Sequence, residues 1–341
     1  MVRLTRVQQQ ERTRASVLVA ARDEFTEHGY ASAKVDRIAG RAELTRGAVY
    51  SNFPSKRALY LAVLTDLVES GPTAEAPGDV LGAFARVWLE RLPLVGDSAA
   101  AGRLQLRSLD GVLDDHGRTV LAQVARLEAL LLGLALESPG DRRVRLASLV
   151  LTLLDGAGHS AEIAPGAGDP FDVALACEQL AGIDLADTWA PPHLQFVKPA
   201  VSCAEAFEPP GDLVDQISGA PADLGADGVI VVLGAGRLGA AEEAVRTAGP
   251  GEQVTVVVVA SDPAETSALV RLRVADLTGC LRRVCTLPLL RLVLDDRAVV
   301  AAALGVADPG DETEAAVRVR GGVIVARAAG RGAGHAAAVA R

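Results

Sequence analysis

Four groups of residues in this chain of 341 residues have the types and spacing to do chemistry. The first is a polar and basic run, Thr45, Arg46, Gly47, Tyr50, Asn52 and Lys56, threaded between short apolar periods. Guanidinium, ammonium, amide and phenol groups crowded onto a few helical turns suit hydrogen bonding to base edges and phosphates. The second is Gly234-Ala-Gly-Arg-Leu-Gly239, which follows the apolar run Val229-Ile-Val-Val-Leu233. Taken literally it is a dinucleotide fingerprint, in which Gly234 makes the turn, Gly236 lets a pyrophosphate approach and Gly239 packs helix on strand. The acid expected about 20 residues further on is poorly placed, because the next apolar run ends only at Ser261-Asp262. The third group is four scattered cysteines, Cys177, Cys203, Cys280 and Cys285, too few for a disulfide framework or a zinc site. Cys280 and Cys285 stand about 140° apart round a helix, a poor geometry for a disulfide. They make a redox switch only if the Thr286-Leu-Pro288 end is irregular. The fourth is His116 beside Asp114-Asp115, with His159 near Glu162, an arrangement that solvated surface explains better than a metal site. No catalytic residue, metal ligand or cofactor is assigned, and Gly234, Gly236 and Gly239 stay weak cofactor candidates.

Composition and pattern set the elements that must carry these groups. Half of the residues are hydrophobic but only 3% aromatic, which excludes disorder and a small disulfide-stapled scaffold. At about 100–200 residues per domain, the length predicts two or three domains. No apolar run reaches the roughly 18–20 residues needed to cross a bilayer. The start, Met1-Val2-Arg3-Leu4-Thr5-Arg6, lacks the apolar core of a signal peptide. The expected compartment is the cytoplasm, with no membrane partner. A net charge of −9 argues against nucleic acid only as a mean. Residues 1–65 hold eleven basic and six acidic side chains, a surplus of +5, so the other 276 residues carry −14.

Three regions separate by pattern. Between about 10 and 70, short helical periods break at Gly29-Tyr30, near Glu43 and at Pro54. Val17, Leu18, Ala21 and Phe25 share a face of a first helix that stops at His28-Gly29. Val35, Ile38 and Ala39 point inward from a second, for which Ser32 is the expected cap. After a tight turn at Ala42-Glu43-Leu44, Thr45 caps a third helix through Tyr50, and Ser55-Lys56-Arg57 begins a fourth. Two short helices joined by a three- or four-residue turn form a helix-turn-helix. From about 77 to 185, longer stripes such as Leu121, Val124, Leu127 and Leu131 predict a helical body. Proline-rich residues 187–199 read as a linker. Beyond 200, runs such as Val254-Thr-Val-Val-Val-Val259 predict buried parallel strands alternating with helices.

The head now carries a resemblance. Phe25-Thr-Glu-His-Gly-Tyr30, Val35-Asp-Arg-Ile-Ala39 and Leu44-Thr-Arg-Gly-Ala-Val-Tyr-Ser-Asn-Phe-Pro-Ser-Lys-Arg-Ala-Leu59 resemble the DNA-binding domain of the TetR family of regulators over about 50 residues. The resemblance implies a homodimer whose recognition helices enter successive major grooves of a palindromic, double-stranded operator. It gives Thr45, Arg46 and Gly47 to bases and phosphates, Tyr50 to a phosphate and a thymine methyl, and Asn52 and Lys56 to the DNA backbone. It also implies helix pairing across the dimer through about 141–161 and 170–183, and an unknown small-molecule effector or protein partner held by the body. Two residues depart from the family pattern: Glu43 stands for the usual turn glycine and Ala33 for a hydroxyl residue.

The last 140 residues resemble, more weakly, a thioredoxin-like domain of the peroxiredoxin and TlpA type. The order is strand 228–232, helix 240–248, strand 254–260, helix 264–275, strand 289–294, short helix 298–304, hairpin 315–327 and a final helix. Gly234–Gly239 stands where the paired cysteines would be, and Asp311-Glu-Thr-Glu314 where a proline would face them, so the nucleophile for disulfide exchange is absent. The expected architecture is thus multidomain, with an all-α helix-turn-helix at 1–70, a helical ligand-binding and dimerisation domain at 71–186, a linker at 187–200 and an α/β thioredoxin-like domain at 201–341. The expected function is an effector-responsive repressor rather than an enzyme. A redox- or dinucleotide-sensing protein or enzyme with DNA binding as its output is the alternative, and recruitment of another protein by the tail is a third reading.

Overall fold

A computed structural model describes residues 5–71, 79–93, 102, 104, 105, 107–138, 140–189, 191–286 and 290–340. The head comprises α1 (Arg6–Ser32), α2 (Val35–Arg41), α3 (Arg46–Asn52) and α4 (Lys56–Glu69). A capping box starts α1, with Thr5 and Gln8 each accepting the other's backbone N–H. The helix is interrupted at Gly29, where the sequence places its end, and a last short turn follows to Ser32. Gly29 takes φ 66°, ψ 170° at this kink. Glycine tolerates that conformation without a Cβ clash. Val17, Ala21, Phe25, Ile38, Ala39, Val49 and Leu59 close the head's core.

The body holds α5 (Val80–Leu89), α6 (Asp115–Leu136), α7 (Val144–Ile163) and α8 (Pro170–Leu180). Asp79, Asp114 and Asp169 cap α5, α6 and α8 by accepting first-turn amides. Val124, Leu127 and Leu131 of α6 are fully enclosed, each contributing about 1.5–3 kcal/mol by leaving water. By length and composition α6 is apolar enough to span a bilayer, contrary to the sequence expectation. Here its apolar face is the core, packed on α7.

After residue 200 comes one six-stranded sheet of β1 (Val201–Ala206), β2 (Gly228–Gly234), β3 (Gln253–Val259), β4 (Leu290–Leu294), β5 (Glu314–Arg320) and β6 (Val323–Ala329), in the order β1-β6-β5-β2-β3-β4. β2, β3 and β4 run parallel, whereas β5 is antiparallel to β2, β6 to β5 and β1 to β6. The crossovers are α9 (Ala241–Thr247), α10 (Ala268–Arg282) and α11 (Val299–Ala303), and α12 (Ala333–Val339) closes the chain. Helices and strands fall where the runs predict, with two exceptions. Strand β1 gave no signal, being exposed on both faces. The helix expected at 264–275 is a π-helical turn at 263–267, capped by Asp262, followed by α10 running on to Arg282. Leu287, Pro288 and Leu289 lie outside the described residues.

The segment 187–200 is no free tether. Asp187 accepts the Arg145 amide at 2.7 Å and pairs with Arg142, while His193 contacts Glu243 at 2.9 Å. Helix α10 packs on α4 and α6, and one continuous apolar cluster runs from Leu64 and Leu127 through Leu277 to Val256 of the sheet.

Candidate nucleic-acid interface

Helix α3 is held out from the head by three devices. Its N-cap, Thr45, accepts the Ala48 amide at 3.2 Å. The turn before it is closed by Leu44 N–H donating to Ala39 at 2.9 Å, with Glu43 at φ 56°. A non-glycine residue in this left-handed region costs about 1 kcal/mol, so the missing glycine leaves strain next to the reading helix. Val49 is buried, and Arg14 lies 4.3 Å over the Phe53 ring at the far end.

The entry to α2 differs from expectation. Ser32 does not cap it; the N-cap is Lys34, with no side-chain cap bond. The work falls to Glu24, whose side chain is fully buried on α1. Its Oε1 accepts the Lys34 amide at 3.0 Å and Arg37 Nε at 2.6 Å, while Arg41 lies 3.6 Å from Oε2. Burial pushes the Glu24 carboxyl up, but the bonds from Arg37 and the Lys34 amide outweigh it and hold it below the usual glutamate range. Sequence reading missed this staple, because its partners lie 10 and 13 residues apart and share no periodic face. Ala33 is buried against the same junction.

The six residues singled out in the sequence lie on α3, its N-cap and the first turn of α4, in different states. Thr45, Arg46 and Gly47 are exposed on the first turn of α3. The Arg46 guanidinium stands 5.4 Å from the Tyr50 ring and 3.4 Å from Asp36, a loose pair that water screens. A Cβ at Gly47 would meet only Thr45 Oγ1, at 3.8 Å, so open space surrounds the backbone there. Asn52 is turned inward, its amide donating to Ala48 at 2.9 Å. Lys56 is also folded in, with Nζ 3.2 Å from the Ala31 carbonyl and 4.7 Å over the Tyr30 ring. Burial pulls the Lys56 ammonium below its ordinary pKa despite the nearby Glu24.

A further contact at this face was invisible in sequence. Ser55, the N-cap of α4, donates its hydroxyl to Glu265, and Arg57 donates to the same carboxylate at 2.6 Å and to Asp114 at 2.9 Å. Glu265 belongs to the turn that precedes α10, some 210 residues away in sequence.

The glycine run is not arranged for a dinucleotide. Gly234 N–H donates to Thr313 and Gly236 N–H to Asp311, both at 2.8 Å, and Gly239 N–H to Gln123 at 3.2 Å. A Cβ on Gly234 would lie 2.3 Å from Asp311 and Gly310. These glycines admit the 310–313 loop where a pyrophosphate would need free amides. Asp262 accepts the Ala264 and Glu265 amides. All four cysteines are free. Among the described residues, no three His, Cys, Asp or Glu side chains form a metal-binding group.

Two short helices joined by a strained turn, the second presenting an exposed polar first turn, make the head a helix-turn-helix of the DNA-binding class. Residues 17–63 match the family described as "Bacterial regulatory proteins, tetR family", and the head is a TetR-family helix-turn-helix domain. The chain is 36% identical over 86 residues to the HTH-type transcriptional repressor SCO4008 of Streptomyces coelicolor, covering 24% of this chain and 41% of that protein. It is 42% identical over 57 residues to the HTH-type transcriptional activator FasR of Mycolicibacterium smegmatis, covering 17% and 26%. The matched stretch thus spans under half the length of these relatives. A solved TetR transcriptional regulator from Rhodococcus sp. RHA1 is 20% identical, covers 51% of this chain and 95% of its own, and has a TM-score of 0.37.

Proposed function

We propose that this protein is a cytoplasmic, homodimeric transcriptional regulator that binds a palindromic operator and releases it on binding an effector, most simply as a repressor. The observation that carries the reading is the exposed first turn of α3, Thr45-Arg46-Gly47, on a head with a surplus of positive charge. In the complex Arg46 bonds guanine or phosphate, Gly47 lets the backbone approach, and Tyr50 covers a phosphate and a methyl group. Asn52 and Lys56 turn outward to the backbone of the DNA. The repressor SCO4008 and the activator FasR support regulation as the output.

Dimer formation is supported by the outer faces of α7 and α8, where Leu149, Ile163, Phe171 and Leu175 are exposed. Two copies pairing these faces would also match operator symmetry. For the C-terminal unit we propose a thioredoxin-like fold of the peroxiredoxin type without its thiols. Its support is the strand order, with β4-β3-β2 parallel and the β5-β6 hairpin antiparallel beside β2. The 310–313 loop also lies over Gly234 and Gly236. With protein oxygens on those amides, this unit serves as scaffold rather than as an enzyme or dinucleotide sensor.

The test is a gel shift on DNA from upstream of the protein's own coding sequence. Arg46→Ala combined with Tyr50→Ala is expected to abolish the sequence-selective shift, and an undiminished selective shift would sink the assignment.

A further inference from the structure

A cavity of about 570 Å³ opens where head, body and C-terminal unit meet. Each of the three contributes a wall: Arg22 of α1, Arg91 and Arg107 of the body, and Asp276 and Arg283 of the α10 region. Its described lining carries more positive than negative groups. Among the described lining residues four guanidiniums face two carboxylates, Glu90 and Asp276. Arg283 takes Glu90 through two bonds, at 2.6 and 3.0 Å. The Asp276 carboxylate pairs with both Arg91 and Arg107, the latter at 3.2 Å. All three of those side chains are largely buried, at 11%, 17% and 7% exposure. Burial pulls the Arg107 pKa down against the attraction of Asp276, yet arginine stays charged in proteins. A positive charge held in poorly hydrated surroundings favours an anion that completes the cluster. Leu67, Val87 and Leu104 line the rest with apolar surface.

We propose that this cavity binds a small amphipathic organic anion, its carboxylate or phosphomonoester head at Arg91 and Arg107 and its apolar chain along Leu67, Val87 and Leu104. The volume lies within the range of small-molecule sites, about 300–1,000 Å³. An occupant touches α1 and α4 of the head and α10 of the C-terminal unit at once, so it acts on how the head sits on the rest. That coupling rests on the regulator reading; the ligand site rests on the cavity alone. Linkage requires that anion and operator alter each other's affinity by the same factor.

The test is calorimetric titration of the full chain with octanoate, octyl phosphate and, as the uncharged control, octanol. Two variants accompany it. Arg107→Gln removes charge. Gly279→Phe fills the cavity from α10, where an added Cβ meets no described atom within 4 Å, and a circular-dichroism melt matching wild type is required before its binding is scored. Saturable binding of octanoate or octyl phosphate, weakened at least tenfold in both variants, supports the site. The tighter of the two anions assigns the head group. No saturable binding of either anion, octanol binding equally well, or an affinity unchanged in either variant overturns it. A gel shift without added anion is scored separately. Loss of the anion site with an intact shift rejects only the ligand, and an intact site without a shift rejects only the regulator reading.

Discussion

At the scale of single residues, Glu24 sets the geometry of the reading head from inside. One buried carboxylate ties α1 to the amide that opens α2 and to Arg37, with Arg41 nearby. Glu24→Gln loses charge-assisted bonds at a half-exposed partner, so the expected cost is about 1–2 kcal/mol in a denaturant melt. The pH dependence has a definite sign. The folded carboxyl is held below its unfolded value. Its stabilisation is therefore complete above the unfolded glutamate pKa of about 4.3, and is lost as pH falls through the lower, folded value. Wild type minus Glu24→Gln stability, followed from pH 7 to pH 3, should shrink across that window. The cysteines give a second residue-level prediction. Burial pushes Cys177 up to about 11 and Cys280 up to about 12. Both should resist iodoacetamide at pH 8 in the folded protein and react once it is unfolded, as read by mass spectrometry. Alkylation of folded Cys280 at the rate of a free thiol would contradict its burial.

At the scale of elements, α7 and α8 present the outward apolar residues on which the proposed dimer depends. Phe171→Glu with Leu175→Glu places two charges on residues that are 78% and 53% exposed. The fold of one copy should therefore survive while light scattering reports a monomer and operator affinity falls at least tenfold. An unchanged dimer would move the interface elsewhere. Helices were legible wherever apolar spacing and a cap coincide, as at Thr45 with Val49, or Ser55 with Leu59. The strands β2 and β3 were legible because both faces are buried and the runs are continuous. Strand β1 was not, since an exposed edge needs no pattern. The candidate DNA face was found from residue types in one local run. The Glu24 staple and the Glu265 contact escaped because they join residues distant in sequence, and no local rule encodes such pairs.

At the scale of the whole molecule, the net charge of −9 divides into a positive head and a strongly negative remainder. On the proposed reading, that division favours contact with DNA at the head and disfavours it elsewhere. Each phosphate neutralised should contribute a slope of about −0.9 to log K against log salt. A titration between 50 and 300 mM KCl should give a steep line, made shallower by about one unit per protomer in Lys56→Ala. A slope near zero would exclude phosphate neutralisation as the source of affinity. Helix α10 shares a core with α4 and α6, and Glu265 reaches the N-terminus of α4, so the head packs on the C-terminal unit as well as on the body.

The shared core also bears on modularity. A cut within 187–200 would not yield a shorter working regulator. It would strip the cover from the flank of α4 and remove the carboxylate that Ser55 and Arg57 hold. Once residues such as Leu64 and Leu277 pack in one cluster, the appended unit can no longer be exchanged as a cassette. Its sequence and that of α4 must drift together, each substitution on one side narrowing what the other can accept.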